Sequence, residues 1–479
     1  MSPGQREHTF DVVVVGAGPA GEVIAGRLAD RGRRVALVER HLVGGECSFY
    51  ACMPSKALLR PAEVLAEVAR VPGAAQAVSG ALDVQAALER RDEVIHNLDD
   101  SSQLPWLKDR GIELFRGTGR LEGERRVAVG DDVLVAGDAV VLAVGSGAVM
   151  PPIPGLSEVG AWSNREITTA HEAPESLIVL GGGVVGVEMA DAWSSFGTRV
   201  TVVEGTERLI AREEPTASQE LTHALGEAGV DVRLGSKVTA LRRGGDRITV
   251  TLEDGDEIEA QRLLVAVGRK PLTAELGLET VGLTGDGPIE VDERMQVPGH
   301  PWLYAIGDVN GRSLLTHAGK YQGRIAAENI LGVDALARSD GPISPRVVFT
   351  RPQVAAVGLT LADARSAGHS VTAIDLSTSA TAGASFYGRG APGTSRFVVD
   401  TEHHILLGVT FVGAEVADFL PAATIAVSAR VPLGALAHAI AAFPTRSELW
   451  LQFLEAYEQD QGLTVHADQV SPARWRANS

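Results

Sequence analysis

A chain of 479 residues is too long for one ordinary domain; roughly three are expected. Its 45% hydrophobic and 22% charged residues describe a folded, soluble protein and exclude the disordered and membrane-embedded classes. The 43 basic residues against 61 acidic ones leave a net charge of −18, which repels phosphate backbones and anionic lipid, so neither nucleic acid nor a membrane is an expected partner.

The opening MSPGQREHTF has no apolar stretch and reads as a loose tail without a secretory signal. No run of 18 or more apolar residues is free of glycine, proline or charge, which argues against a membrane span, and a cytoplasmic protein is expected. Residues 11–40 read as a buried strand, a glycine turn, a helix and a second strand. From about 56 to 110 the apolar spacing in ALLRPAEVLAEVARV and QAALERRDEVIHNL predicts two long helices. Short alternating segments from 112 to 145 predict a small meander returning to the main sheet. At 178 the opening pattern recurs, its first glycine 165 residues after the first one of the earlier unit. LLVAVGRKP at 263–271 and WLYAIGDV at 302–309 read as strands, and GKYQGRIAAENILG as a helix. From about 341 strands and helices continue without a further glycine fingerprint, which predicts a third domain.

Gly16, Gly18 and Gly21 follow a run of valines, and Glu39 closes the next strand 18 residues after Gly21. In such a unit the first glycine makes the tight turn, the second lets the backbone approach a pyrophosphate, and the third lets helix meet strand. The helix N-terminus then faces the phosphates, and Glu39 accepts hydrogen bonds from a ribose. Gly181, Gly183 and Gly186 with Glu204 meet the same tests, so two dinucleotide sites are predicted. An acid at Glu204 suits a free 2′-hydroxyl and repels a 2′-phosphate, favouring NADH over NADPH; Arg208 either softens that preference or is a solvated loop residue.

The two cysteines, Cys47 and Cys52, lie in GGECSFYACMPSK. In a reducing compartment so close a pair points to redox chemistry or metal, and a zinc site lacks its second pair of ligands. Five residues along an ideal helix put side chains roughly 140° apart and about 7.5 Å along the axis. A disulfide needs Cα atoms about 4.4 to 6.8 Å apart, so bridging demands a distorted helix start, and such strain makes the bond easier to reduce. A helix N-terminus also stabilises a thiolate.

Together these motifs resemble the flavoprotein pyridine nucleotide-disulfide oxidoreductases, the family of glutathione reductase, dihydrolipoamide dehydrogenase and mercuric reductase, over nearly the whole chain. Gly44, Gly45, Cys47, Cys52, Pro54 and Lys56 match its redox-disulfide segment. The resemblance implies that Cys52 stacks on the flavin, that Cys47 attacks an external substrate, and that Lys56 lies at flavin N5 paired with Glu188. It also implies FAD contacts at Gly119, Gly145, Ser146, Asp308 and the helix start around Ala318, with Gly268 in GRKP at the crossover from the nicotinamide domain. The implied fold is α/β, with two Rossmann-type domains for FAD and NAD(P) and a C-terminal α+β dimerisation domain. The limits read from the sequence are 1–155 and 271–340 for the two FAD pieces, 156–270 for NAD(P) and 341–479 for the interface. A homodimer follows, because the family completes its site from the neighbouring subunit.

One departure bears on the substrate. Disulfide-reducing members carry histidine-proline-threonine-x-x-glutamate near the end; here the segment is AAFPTRSELW, with Pro444, Thr445 and Glu448 in place and Phe443 at the histidine position. A phenyl ring cannot move a proton, and the lost acid-base contribution is typically about 10²- to 10⁴-fold. His438 and His317 are candidate substitutes, and Glu448 is free to bond a backbone amide. Mercuric reductase shares a Phe-Pro start but has a C-terminal cysteine pair that SPARWRANS lacks. The expected activity is electron transfer from NADH, or NADPH, through FAD and the dithiol to a small acceptor other than a standard disulfide. The alternatives are a diaphorase that leaves the cysteines idle, an enzyme like 2-ketopropyl-coenzyme M carboxylase, and a non-catalytic flavin sensor.

Overall fold

A computed structural model describes residues 6–391, 393–462 and 465. The first sheet is built on the valine strand Arg6–Val15, which pairs in parallel with Val35–Glu39 on one side and Asp132–Leu142 on the other. Glu113–Arg116 extends the first side, and His300–Ala305 with Gln296–Val297 extends the second. The strand order therefore reverses at Arg6–Val15, and in open parallel sheets that reversal opens a crevice at the carboxyl ends of the strands. The expected loose tail is corrected in part: residues 1–5 lie outside the described residues, but Arg6–Phe10 pair with Asp132–Ala136. Their side chains look like a tail because most face water, whereas backbone pairing holds them.

The recurring unit builds a second parallel sheet in the order Asp231–Arg233, Arg199–Val203, Ser176–Leu180, Arg262–Val265, flanked by a three-stranded meander. Chain enters and leaves this half through two short antiparallel strands, Ser146–Ala148 and Arg269–Pro271. A third sheet, five-stranded and antiparallel, spans Arg346–Val348 to Ile405–Gly413 and packs under Leu420–Ser428 and Leu449–Gln461.

Of the two long helices expected, Cys52–Arg70 is one; the other stops early, at Val94. Asp83 caps its start, and His96, Asn97 and Leu98 turn left-handed at φ 51°, 51° and 60°, ending the helical run in spite of its apolar spacing. No helix among the described residues is long and apolar enough to cross a membrane.

Candidate active site

The two glycine turns have the same internal geometry. A Cβ on Gly16 would lie 2.4 Å from the Ala143 carbonyl oxygen, and one on Gly21 would lie 1.9 Å from that of Gly16. In the second unit a Cβ on Gly181 would meet the Ala266 oxygen at 2.6 Å and one on Gly186 the Gly181 oxygen at 1.9 Å. Gly18 and Gly183, the middle glycines, face nothing within 4 Å. The outer glycines thus serve packing, and the middle ones leave open space at a helix N-terminus, where a pyrophosphate fits.

Both closing acids hold their turns. Glu39 accepts from the amides of Ala17 at 2.8 Å and His41 at 2.7 Å, and Glu204 from those of Gly182 at 2.6 Å and Thr206 at 2.7 Å. Arg208 is spent on its own loop, donating to the carbonyls of Ala211 and Glu213.

A cavity of about 440 Å³ opens at the switch point of the first sheet, lined by Gly16, Gly18, Glu39, Cys47, Gly119, Gly145, Ser146 and Asp308 among others. Donor backbone, a ribose-facing acid and a long apolar wall fit FAD. Asp308 accepts from the Ser146 hydroxyl at 2.5 Å, and burial pushes its carboxyl up from the usual range. Leu315, Thr316 and Gly319 bring the Thr316–Ile330 helix to the cavity, whereas Ala318 is buried on that helix outside the lining. Gly268 is not in the lining either; its carbonyl bonds Val149 across the hinge strands.

Two helices, not one, carry the cysteines. Gly45–Phe49 holds Cys47, the chain breaks at Tyr50 and Ala51 (φ −135° and −137°), and Cys52 is the first residue of Cys52–Arg70. The helix start is thus distorted, as a bridge between the two sulfurs would require. Both sulfurs are free thiols here. The closeness of the two thiols drives them apart in acidity: with burial it pushes Cys47 far up, while it holds Cys52 down at about 6 against burial, helped by Thr316 and Lys56. Thr316 Oγ1 lies 3.4 Å from Cys52 Sγ, a contact that the helix start expected around Ala318 contained but did not single out.

Lys56 Nζ donates to Glu188 Oε2 at 2.7 Å and lies 4.7 Å over the Phe349 ring. Phe349 and Arg165 lie in no motif, and Glu46 and Arg269 lie inside GGECSFYACMPSK and GRKP without being singled out there; only the folded chain reveals their roles. The C-terminal segment stands apart: Phe443 is 75% exposed, and no residue from 443 to 448 lines the cavity. Among the described residues the backbone amide expected for Glu448 is not found: its buried Oε2 has no hydrogen-bond partner there. His317 is exposed and bonds the Pro345 carbonyl at 2.6 Å, and His438 is also exposed.

Of the cysteine pair only Cys47 lines the cavity; Cys52, Lys56 and Glu188 lie outside its lining. Two glycine turns of dinucleotide-binding geometry with a cysteine pair beside the cavity at the first define a flavoprotein oxidoreductase acting with nicotinamide dinucleotides. Residues 10–323 match the family "Pyridine nucleotide-disulphide oxidoreductase" and residues 344–453 its dimerisation domain; this chain belongs to that family. A dihydrolipoyl dehydrogenase of Thermus scotoductus is 35% identical over 457 residues, 94% of this chain and 97% of the relative. A mercuric reductase of Staphylococcus aureus is 30% identical over 450 residues, 92% of this chain and 81% of the relative. Among solved structures, the Cu(II) complex of the HOCl-induced flavoprotein disulfide reductase RclA from Escherichia coli fits with a TM-score of 0.82 at 26% identity, covering 93% of this chain and 99% of that one. The enzyme is thus an FAD-dependent pyridine nucleotide-disulfide oxidoreductase using FAD and NAD(H), and its dimerisation domain supports a homodimer.

Proposed function

We propose that this enzyme passes electrons from NADH through FAD to the Cys47–Cys52 pair, and from there to a thiophilic metal ion such as Cu(II). Gly181, Gly183, Gly186 and Glu204 hold the nicotinamide dinucleotide, with Gly268 at the crossover. Gly16, Gly18, Glu39, Gly119, Gly145, Ser146 and Asp308 would hold FAD, with Gly21 closing the turn and Ala318 buried on the helix behind the lining; the bound ring supplies hydride acceptance. Lys56 and Glu188 position the nicotinamide side, Cys52 is the thiolate beside the flavin, and Cys47 meets the acceptor. The domain limits given above and a cytoplasmic location belong to the same reading.

The observation that carries the acceptor class is Phe443 in place of a proton carrier. Thiol–disulfide exchange ends with a leaving thiolate that must be protonated, which needs a general acid. Metal binding needs the reverse: a coordinating thiol gives its proton up, so Cys47 requires no acid beside it. The balance is one thiol and one thiolate plus two Cu(II) giving one disulfide, two Cu(I) and one proton, the disulfide then being reduced again by NADH. The copper named with the RclA structure and the mercury named for the Staphylococcus relative support this class.

The test is NADH-dependent Cu(I) formation, read with a Cu(I)-specific chelator, beside lipoamide and glutathione disulfide. Turnover with copper that is lost in Cys47→Ser, with little on either disulfide, is expected. Copper reduction that survives Cys47→Ser would mean a diaphorase path directly from the flavin. In Phe443→His, lipoamide turnover should rise by at least about tenfold, a part of the general acid-base contribution.

A further inference from the structure

The cysteine loop is fastened by residues that the proposed electron path does not use. Glu46, just before Cys47, accepts from Arg165 Nε at 2.6 Å and Asn164 Nδ2 at 2.8 Å, and lies 3.8 Å from Arg269. The Arg165 guanidinium sits 4.6 Å over the Tyr50 ring, and the Tyr50 carbonyl accepts from Asn164 at 2.9 Å and Thr168 at 3.2 Å. Both ends of the Glu46–Tyr50 turn are therefore held by one short helix, Asn164–Thr169. That helix is itself fixed: Ser163 and Glu166 form a capping box at its start, and the fully buried Arg91 donates to the carbonyls of Thr168 and Ala170.

A second line leaves the same helix. Asn164 Oδ1 accepts from Arg269 Nη1 at 3.2 Å, and Arg269 donates to both the hydroxyl and the carbonyl of Ser146 at 2.7 Å. Arg269 and Ser146 belong to the paired strands through which the chain enters and leaves the nucleotide-binding half. Arg269 also lies 3.9 Å from Asp308, so one guanidinium serves two carboxylates that line the flavin cavity. Charge-assisted bonds to a planar guanidinium are strong and directional, and a linked set of them transmits displacement because no member can tilt without losing a partner.

We propose that Glu46 is the positioning residue of the sulfur loop and that, through Asn164, Arg165 and Arg269, it makes the geometry of Cys47 depend on the hinge strands of the nucleotide-binding half. The inference rests on the electron path proposed above.

The experiment is anaerobic stopped-flow reduction of the FAD-loaded enzyme by NADH, separating flavin reduction from the later thiolate–flavin charge-transfer absorption, with and without added NAD⁺. In Glu46→Gln the later phase should slow about tenfold more than the first, the worth of one charge-assisted bond, and the response of the charge-transfer band to NAD⁺ should vanish. Glu46→Asp should recover part of both. Equal phases and an unaltered NAD⁺ response in Glu46→Gln overturn the inference while leaving the electron path standing. If Glu46→Gln does not retain FAD, Arg165→Lys, which keeps the charge but not the planar contact over Tyr50, reads the same ratio, and no change there overturns it too. Absence of the charge-transfer band in the unaltered enzyme overturns both proposals.

Discussion

The Lys56 ammonium lies 2.7 Å from Glu188 Oε2, which ion-pairs the helix beginning at Cys52 to the helix after the second glycine turn. Glu188 is 3% exposed, and its other oxygen accepts from the Phe349 amide at 3.0 Å, so three parts of the chain meet on one buried carboxylate. Lys56→Met leaves that carboxylate short of a donor, at a cost of about 1–3 kcal/mol. Flavin reduction by NADH should slow by at least about tenfold, since such a loss in the transition state corresponds to that factor. Stopped-flow absorbance and thermal denaturation measure the two effects; an unaltered reduction rate in both Lys56→Met and Glu188→Gln removes the pair from the mechanism.

Cys52, held down at about 6, should be a thiolate in the reduced enzyme at neutral pH, while Cys47, pushed up, keeps its proton. The charge-transfer absorption therefore grows as pH rises through about 6 and fades below it. A pH titration of the NADH-reduced enzyme checks this. Cys52→Ser should abolish the band, whereas a band in Cys52→Ser that is lost in Cys47→Ser would reverse the two assignments.

The glycine geometry separates folding from binding. Gly183→Ala adds a Cβ that meets no protein atom within 4 Å, so the melting temperature should hold while the KM for NADH rises, because the methyl occupies the phosphate's approach. Gly186→Ala puts its Cβ 1.9 Å from the Gly181 oxygen and should cost both stability and NADH binding, with FAD content retained. Calorimetry together with NADH titration distinguishes the two variants, and equal melting losses would contradict the assignment.

Asp191, 2% exposed, is paired with Arg351 at 2.7 Å and also accepts from the Arg351 amide, tying the helix after the second glycine turn to the loop between Arg346–Val348 and Gln353–Gly358 of the third sheet. Burial pushes the Asp191 carboxyl up, and Arg351 opposes that push. Arg351→Ala strands a buried charge, at a cost of about 3 kcal/mol. The sign follows from the raised carboxyl: the folded state of the variant holds its proton to higher pH than the unfolded chain, so its stability falls as pH rises. Denaturation should therefore show a larger deficit at pH 7 than near pH 4, and a deficit independent of pH would exclude this cause.

Chain order alone was enough for the two dinucleotide units and the cysteine segment. Each is a local device: a valine run, three glycines at fixed spacing and an acid at the next strand end act within about 30 residues, the span of one βαβ unit. A distorted helix start was legible as the condition for a sulfur bridge, from sulfur reach and helix rise, but its place at Tyr50 and Ala51 was not. Arg6–Phe10 was misread because its side chains face water and only a partner strand more than a hundred positions away gives it order.

What needed the folded chain is every contact between segments distant in sequence. Glu46 is unremarkable in GGECSFY until Asn164, Arg165 and Arg269 surround it, and Thr316 is one residue of a helix until its hydroxyl reaches Cys52. Asp191 looks like an ordinary helix acid until Arg351 meets it in the core. Spacing patterns encode which groups share a face of their own element. Which charge neutralises which is set by packing between elements, where burial strengthens each pairing and makes a missing one costly.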